Sequence, residues 1–108
     1  MPIFITQARL SREYVRGGVA KPEDRQAVLS RLCEQAGGRL VSLYFTLGQY
    51  DILVISDMPD AQSAASIVLA AAAGGGIVDA VTTQAFTSAQ GKDLFERAGK
   101  IAYKPMGA

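Results

Sequence analysis

The sequence contains no histidine and no tryptophan, and Cys33 is its single cysteine. One chain therefore makes no internal disulfide and no His-ligated zinc or haem site. It also holds neither a Ser-His-Asp nor a Cys-His nucleophile. An excess of one charge is missing too: 11 Lys and Arg stand against 10 Asp and Glu, for a net charge of +1. That balance supplies no global attraction to nucleic acid or to an acidic membrane surface, and neither is expected as a partner. The longest apolar run, Ile67–Ala73, is far shorter than the ~20 residues needed to span a bilayer. The apolar start, Met1–Leu10, has no basic leader and no small-residue cleavage site, so no targeting segment is expected. A free cysteine suits a reducing compartment, and the expected location is cytoplasmic.

What is present is a chain of 108 residues, 49% hydrophobic and 19% charged, the composition of one ordinary folded domain. Residues 1–99 read as that domain and 100–108 as a tail with Tyr103 and Met106 as its apolar positions. Ile3–Leu10 has the β-branched residues of a first strand. Ser11–Lys21 reads as a connection through Gly17-Gly18. A helix is expected from about Pro22, with Glu23 and Asp24 in its first turn and Val28, Leu29, Leu32, Cys33 and Ala36 on one face. Gly37-Gly38 closes it.

Arg39–Leu47 and Tyr50–Asp57 read as two strands joined by Gly48-Gln49, the pattern of a type II′ hairpin. Asp57 is the expected N-cap of a second, alanine-rich helix, with Asp60 near its third position. Gly74-Gly75-Gly76 ends that helix. Ile77–Phe86 is the expected fourth strand, and Thr87 or Ser88 caps a last helix carrying Leu94, Phe95 and Ala98. The order β-α-β-β-α-β, with this extra C-terminal helix, predicts an α+β, ferredoxin-like fold. It has a four-stranded antiparallel sheet with its helices on one face.

Counting outwards from Gly48-Gln49 pairs Leu47 with Tyr50, Thr46 with Asp51, Phe45 with Ile52, and Tyr44 with Leu53. Alternation then puts Val41, Leu43, Phe45, Leu47, Tyr50, Ile52 and Val54 under the helices. Leu40, Ser42, Tyr44, Thr46, Asp51, Leu53 and Ile55 fall on the opposite face. Half of that second face is apolar, too much for a face left in water. A second copy of the chain is the simplest cover, with two sheets packed face to face. Asp51 shares this face with Thr46 and Tyr44. There it either serves as a general base with a raised pKa, or simply accepts a hydrogen bond from Thr46, a backbone N–H or a partner chain.

The string Leu47-Gly48-Gln49-Tyr50-Asp51 resembles the short motif that names the GYD-domain family. The context agrees, from Ala36-Gly37-Gly38-Arg39 through Asp57-Met58-Pro59-Asp60 to Gln84-Ala85-Phe86-Thr87. The resemblance covers about Pro2–Arg97. It implies a small bacterial or archaeal protein of the dimeric α/β-barrel group, without implying a reaction. Gly48, Tyr50 and Asp51 match the motif position by position. Two departures stand out: Ile77-Val78-Asp79 replaces an Asn-Val-Arg-like start to the fourth strand, and Arg16–Pro22 holds an extra Gly-Gly. If the family's arginine at that position binds an anion, Asp79 would not.

Other features carry less. Gly74-Gly75-Gly76 follows a helix and lacks Lys-Ser or Lys-Thr, so it is no phosphate loop. Cys33 lies on an apolar stripe, as inert core cysteines do. No acidic spacing forms a calcium loop, so neither a metal nor any other cofactor is expected. Arg9, Arg12 and Arg16 bracket the first connection and offer a mouth for an anionic small molecule, with Thr46 and Gly48 as further ligand-binding candidates. Two functions follow from these features. One is a homo-oligomeric binding or accessory module. The other is a cofactor-free oxygenase or isomerase acting on an activated carbonyl compound, with Asp51 as base and Tyr44 or Tyr50 orienting the substrate.

Overall fold

The alternating run Ile3–Leu10 forms strand β1 at the middle of the sheet. The computed structural model describes residues 1–107; Ala108, the last residue of the predicted tail, lies outside the described residues. After β1 come α1 (Arg12–Ala20), α2 (Gln26–Gln35), β2 (Arg39–Phe45), β3 (Ile52–Asp57), α3 (Ala61–Ala73), β4 (Ile77–Ala85) and α4 (Ser88–Ala98). The four strands make one antiparallel sheet in the order β2-β3-β1-β4, which is the expected α+β, ferredoxin-like layout.

Five local expectations need correction. First, the connection after β1 is helical. Ser11 caps α1, its Oγ accepting from Tyr14 N at 3.0 Å, and the exposed Gly17-Gly18 pair is carried within the helix rather than breaking it. Second, α2 begins at Gln26 rather than near Pro22, because the Asp24 carboxylate already accepts from Gln26 N at 2.9 Å in a local turn. Third, α3 is capped by Asp60, not Asp57. Asp57 ends β3 with its carboxylate 2.6 Å from Arg39, and the fully buried Met58 pins the segment between them. Fourth, strand pairing stops at Phe45–Ile52, leaving residues 46–51 as a loop instead of a two-residue turn. Leu47, expected under the helices, is fully exposed there. Last, an extra residue in β2 opposite β3 shifts the alternation, since Leu40 pairs with Ser56 while Ser42 pairs with Ile55. Leu40 therefore packs against the core and Val41 is the exposed one.

A second bulge lies between β1 and β4, where Gln7 pairs with Val81 but Arg9 with Val78. Asp79 occupies it at φ 51°, a left-handed conformation that a short polar side chain tolerates. Its place in the chain is thus explained by the backbone.

The core is small. Phe4, Cys33, Met58 and Ala64 form its buried centre, with Ala36, Leu40 and Ile67 packed around it. Beside it, α2, α3 and the sheet leave a gap of about 60 Å³ lined by Leu29, Leu32, Ile52 and Val54. Burial pushes the Cys33 thiol pKa up, with the Glu34 charge adding to it.

Asp60 shows how the sequence starts α3. Its Oδ1 accepts from Ser63 N at 2.8 Å, which holds its carboxyl below the ordinary carboxylate range. A depressed folded-state pKa adds stability above the unfolded value, near pH 4, and that stability is lost as pH falls through the folded value. Asp60→Asn, which keeps an acceptor but cannot titrate, is therefore expected to flatten this acid limb in melting curves taken between neutral and acidic pH.

The molecule is long for its mass. Its radius of gyration is 17.4 Å and its extents are 61 × 32 × 22 Å, whereas a globular chain of this length has a radius near 13 Å. None of the described helices is long and apolar enough to cross a membrane.

Candidate functional site

The residues expected to carry function separate into three places. The first is the β2–β3 loop. Thr46 N donates to Asp51 O at 2.8 Å, and Thr46 Oγ donates to Tyr50 O at 2.7 Å. Gly48 lies at the tip with φ 151°, which favours glycine, and a Cβ there would meet nothing within 4 Å. Asp51 ties the loop to β1 twice: its N–H donates to Ala8 O at 2.9 Å, and its Oδ2 accepts from Leu10 N at 3.0 Å. The Asp51 carboxylate thus satisfies a backbone donor at the point where β1 hands over to α1. The Thr46 hydroxyl turns to a carbonyl instead.

Asp51→Ala is expected to leave Leu10 N–H unpaired and to cost about 1–3 kcal/mol in urea unfolding, the scale for a stranded, part-buried donor. Asp51→Asn retains an acceptor and should lose less.

The second place is the outer face of the sheet, opposite the helices. Phe4 and Ala8 are buried on the helix side, so Ile3, Ile5 and Gln7 point outward. Strand pairing extends this face across the sheet. One row reads Tyr44, Leu53, Gln7, Val81, and the next reads Ser42, Ile55, Ile5, Thr83. Tyr44 is exposed here. Arg9, paired with Val78, is exposed at the β1 end. The apolar centre made by Ile5, Leu53 and Ile55 lies on the face opposite α2 and α3, each of the three being partly buried.

The third place is α1, where Arg12 and Arg16 are both exposed. Neither lines the large cleft beside this helix. That cleft, of about 820 Å³, lies between α1, the link to α2 and Phe45 of β2. Leu10, Tyr14, Val15 and Val19 give it apolar walls, and Glu13, Lys21, Glu23 and Arg25 supply charge. Arg25 is ion-paired with Glu23 and sits over the Tyr14 ring, its guanidinium carbon 5.7 Å from the centroid. The Glu23 hydrogen bond raises the Arg25 pKa further, against some opposing desolvation.

Tyr14 Oη and Arg25 Nε are closed off from solvent without a hydrogen-bond partner. Arg25 lines this cleft, whereas Arg9, Arg12 and Arg16 do not. The only sequence signal for it was Ser11, a capping residue that turns the supposed connection into a helix and brings Tyr14 round to it. Among the described residues no group of three or more His, Cys, Asp or Glu side chains could hold a metal ion.

Set against known proteins, residues 4–94 match the family model described as the GYD domain. No curated protein matches the chain. Among solved structures, the crystal structure of TTHA0845 from Thermus thermophilus aligns over 82% of this chain and 96% of that one. The TM-score is 0.51 and the identity 18%, a likeness of fold.

Proposed function

Because the chain belongs to the GYD-domain family, we propose that it acts as a homo-oligomeric accessory module that binds a small molecule, assembled through the outer sheet face. The observation that carries this reading is the apolar centre at Ile5, Leu53 and Ile55, on the sheet face opposite the one where Phe4 packs with Cys33 of α2 and Ala64 of α3. The surface area supports it. The chain exposes 7724 Å², whereas a folded monomer of 11.4 kDa exposes about 5800 Å². A surplus near 1900 Å² per chain is on the scale that obligate homodimers bury. Two sheets packed through such faces bring apolar rows together about 10 Å apart.

For the ligand, the cleft between α1 and Phe45 is the favoured place. Its apolar walls and its charged rim at Lys21, Glu23 and Arg25 suit a compact, mostly apolar molecule with one polar end. The enzyme reading depends on Asp51 as a free base. The Leu10 N–H bond to its carboxylate favours a structural part for it instead.

A native mass spectrum of protein purified gently from its own host tests the binding claim. The expected result is an even-numbered oligomer carrying a stoichiometric extra mass, which leaves when Phe45→Ala opens the cleft wall. An apo-oligomer with no retained mass, and no small molecule acquired from host extract, would contradict ligand binding while leaving the assembly claim standing.

A further inference from the structure

We infer that α4 and the segment after it form an exchanged arm that docks on a second copy of this chain, in the groove between that copy's α3 and β4. The inference rests on the oligomeric reading above, since it needs a second copy, but it concerns a different surface.

The helix is complete in itself and covers nothing. Thr87 and Gln90 make a reciprocal capping box at its start, with bonds of 3.1 and 2.8 Å. Lys92–Glu96 and Asp93–Arg97 ion pairs staple its polar side. Gly91, Leu94, Phe95 and Ala98 recur at helical spacing on the other side. None of the residues of α4 is buried, and Phe95 is 83% exposed. The segment beyond continues the pattern, with Ile101, Tyr103 and Met106 all exposed. A small protein with this much apolar surface on one projecting element has left out what the element packs against.

The receiving groove is made because α3 stands aside from the edge strand. Ala80, Thr82 and Gln84 of β4 line it from the sheet, and Ala61, Ala65 and Leu69 from α3, around about 440 Å³ of open space. The small side chains let a helix approach closely, and Leu69 at the rim is itself exposed.

Two observations select a second copy as occupant. Only Phe86 and Thr87 separate β4 from α4, and the capping box fixes the direction in which α4 leaves. The cap is made with α4 lying clear of its own groove: none of its residues is buried or lines that groove. The second observation is the area. A sheet face of ordinary interface size hides about 800 Å² per partner, which leaves roughly half of the 1900 Å² surplus for the arm.

The test uses two full-length variants, Phe95→Cys and Leu69→Cys, both at exposed positions, with buried Cys33 left in place. Mixed, and treated with a short bis-maleimide, they are expected to give a covalent heterodimer, while wild type treated alike stays uncross-linked. A chain carrying both substitutions should give inter-chain products. Internal linkage within that double variant would overturn the proposal, since it means the arm packs on its own body. An oligomer that gives no 95–69 linkage would overturn it too, leaving assembly through the sheet alone. A wild type that is monomeric removes this proposal and the assembly claim together. As an independent reading, Phe95→Asp should weaken association about a thousandfold, the loss of one anchoring aromatic from each of the two exchanged arms, with helix content unchanged. Unchanged association would contradict the arm.

Discussion

Ile55→Lys is expected to reduce the assembly to single chains. Ile55 lies at the centre of the outer face, between Ser42 of β2 and Ile5 of β1. On an isolated chain a lysine there extends its ammonium into water and costs little. Between two sheets the same charge is desolvated with no acidic partner among its neighbours. Losing a central contact costs about 2 kcal/mol, and a two-fold interface contains the change twice. The sum, about 4 kcal/mol, weakens association roughly a thousandfold. Light scattering across a dilution series measures it. Gln62→Lys, an exposed change on α3, serves as the matched control and should leave the mass unaltered. Retention of the wild-type mass by Ile55→Lys would mean the outer face is not the interface.

Gly38→Ala is expected to cause the largest loss of folding stability of any single methyl group added to this chain. Gly38 joins α2 to β2, and its N–H donates to Cys33 O at 3.0 Å. A Cβ there would lie 2.5 Å from Met58 Sδ and closer still to the Asp57 carbonyl oxygen. The sulfur belongs to a fully buried side chain and the oxygen to backbone, so neither yields cheaply. Asp57 is also the β3 residue paired with Arg39, which means a shift here disturbs the end of the ladder. Overpacking of this kind costs about 3 kcal/mol, or roughly 15 °C in Tm for a chain of this size. Gly91→Ala in α4 supplies the contrast. Nothing lies within 4 Å of the new methyl group, and helix propensity favours alanine by about 1 kcal/mol. A melting temperature for Gly38→Ala close to wild type would contradict the packing described.

The fold was readable because its strongest signals are local and periodic. β-branched runs, the apolar face of α2, the Ala-rich α3 and the Thr87 cap each act within a few residues. The pairs Phe45–Ile52 and Tyr44–Leu53 also came out of counting from the glycine. What escaped depends on distant partners. Gly17-Gly18 looks like a break until Ser11 is seen bonded to the Gly75 carbonyl, far away in sequence, as well as capping Tyr14. The bulge at Val41 is invisible to strict alternation, which is why Leu40 and Val41 exchanged faces.

The candidate site was less legible for the same reason. Asp51 was separable into two roles by chemistry but not between them, because its partner, Leu10 N–H, lies across the sheet. The Arg25–Glu23 pair over Tyr14 needed α1 to exist before it could be seen. The outer face, in contrast, was predicted from residue type alone. A face holding Leu53 and Ile55 is more apolar than one left in water, which is the ground for the proposed assembly.

That face is the centre of the account, and sedimentation equilibrium of the wild-type chain at micromolar concentration tests it most directly. The expected result is an even multiple of 11.4 kDa that persists on dilution through the nanomolar range, as an obligate assembly with no stable single chain should. A folded species of 11.4 kDa at every concentration would contradict it.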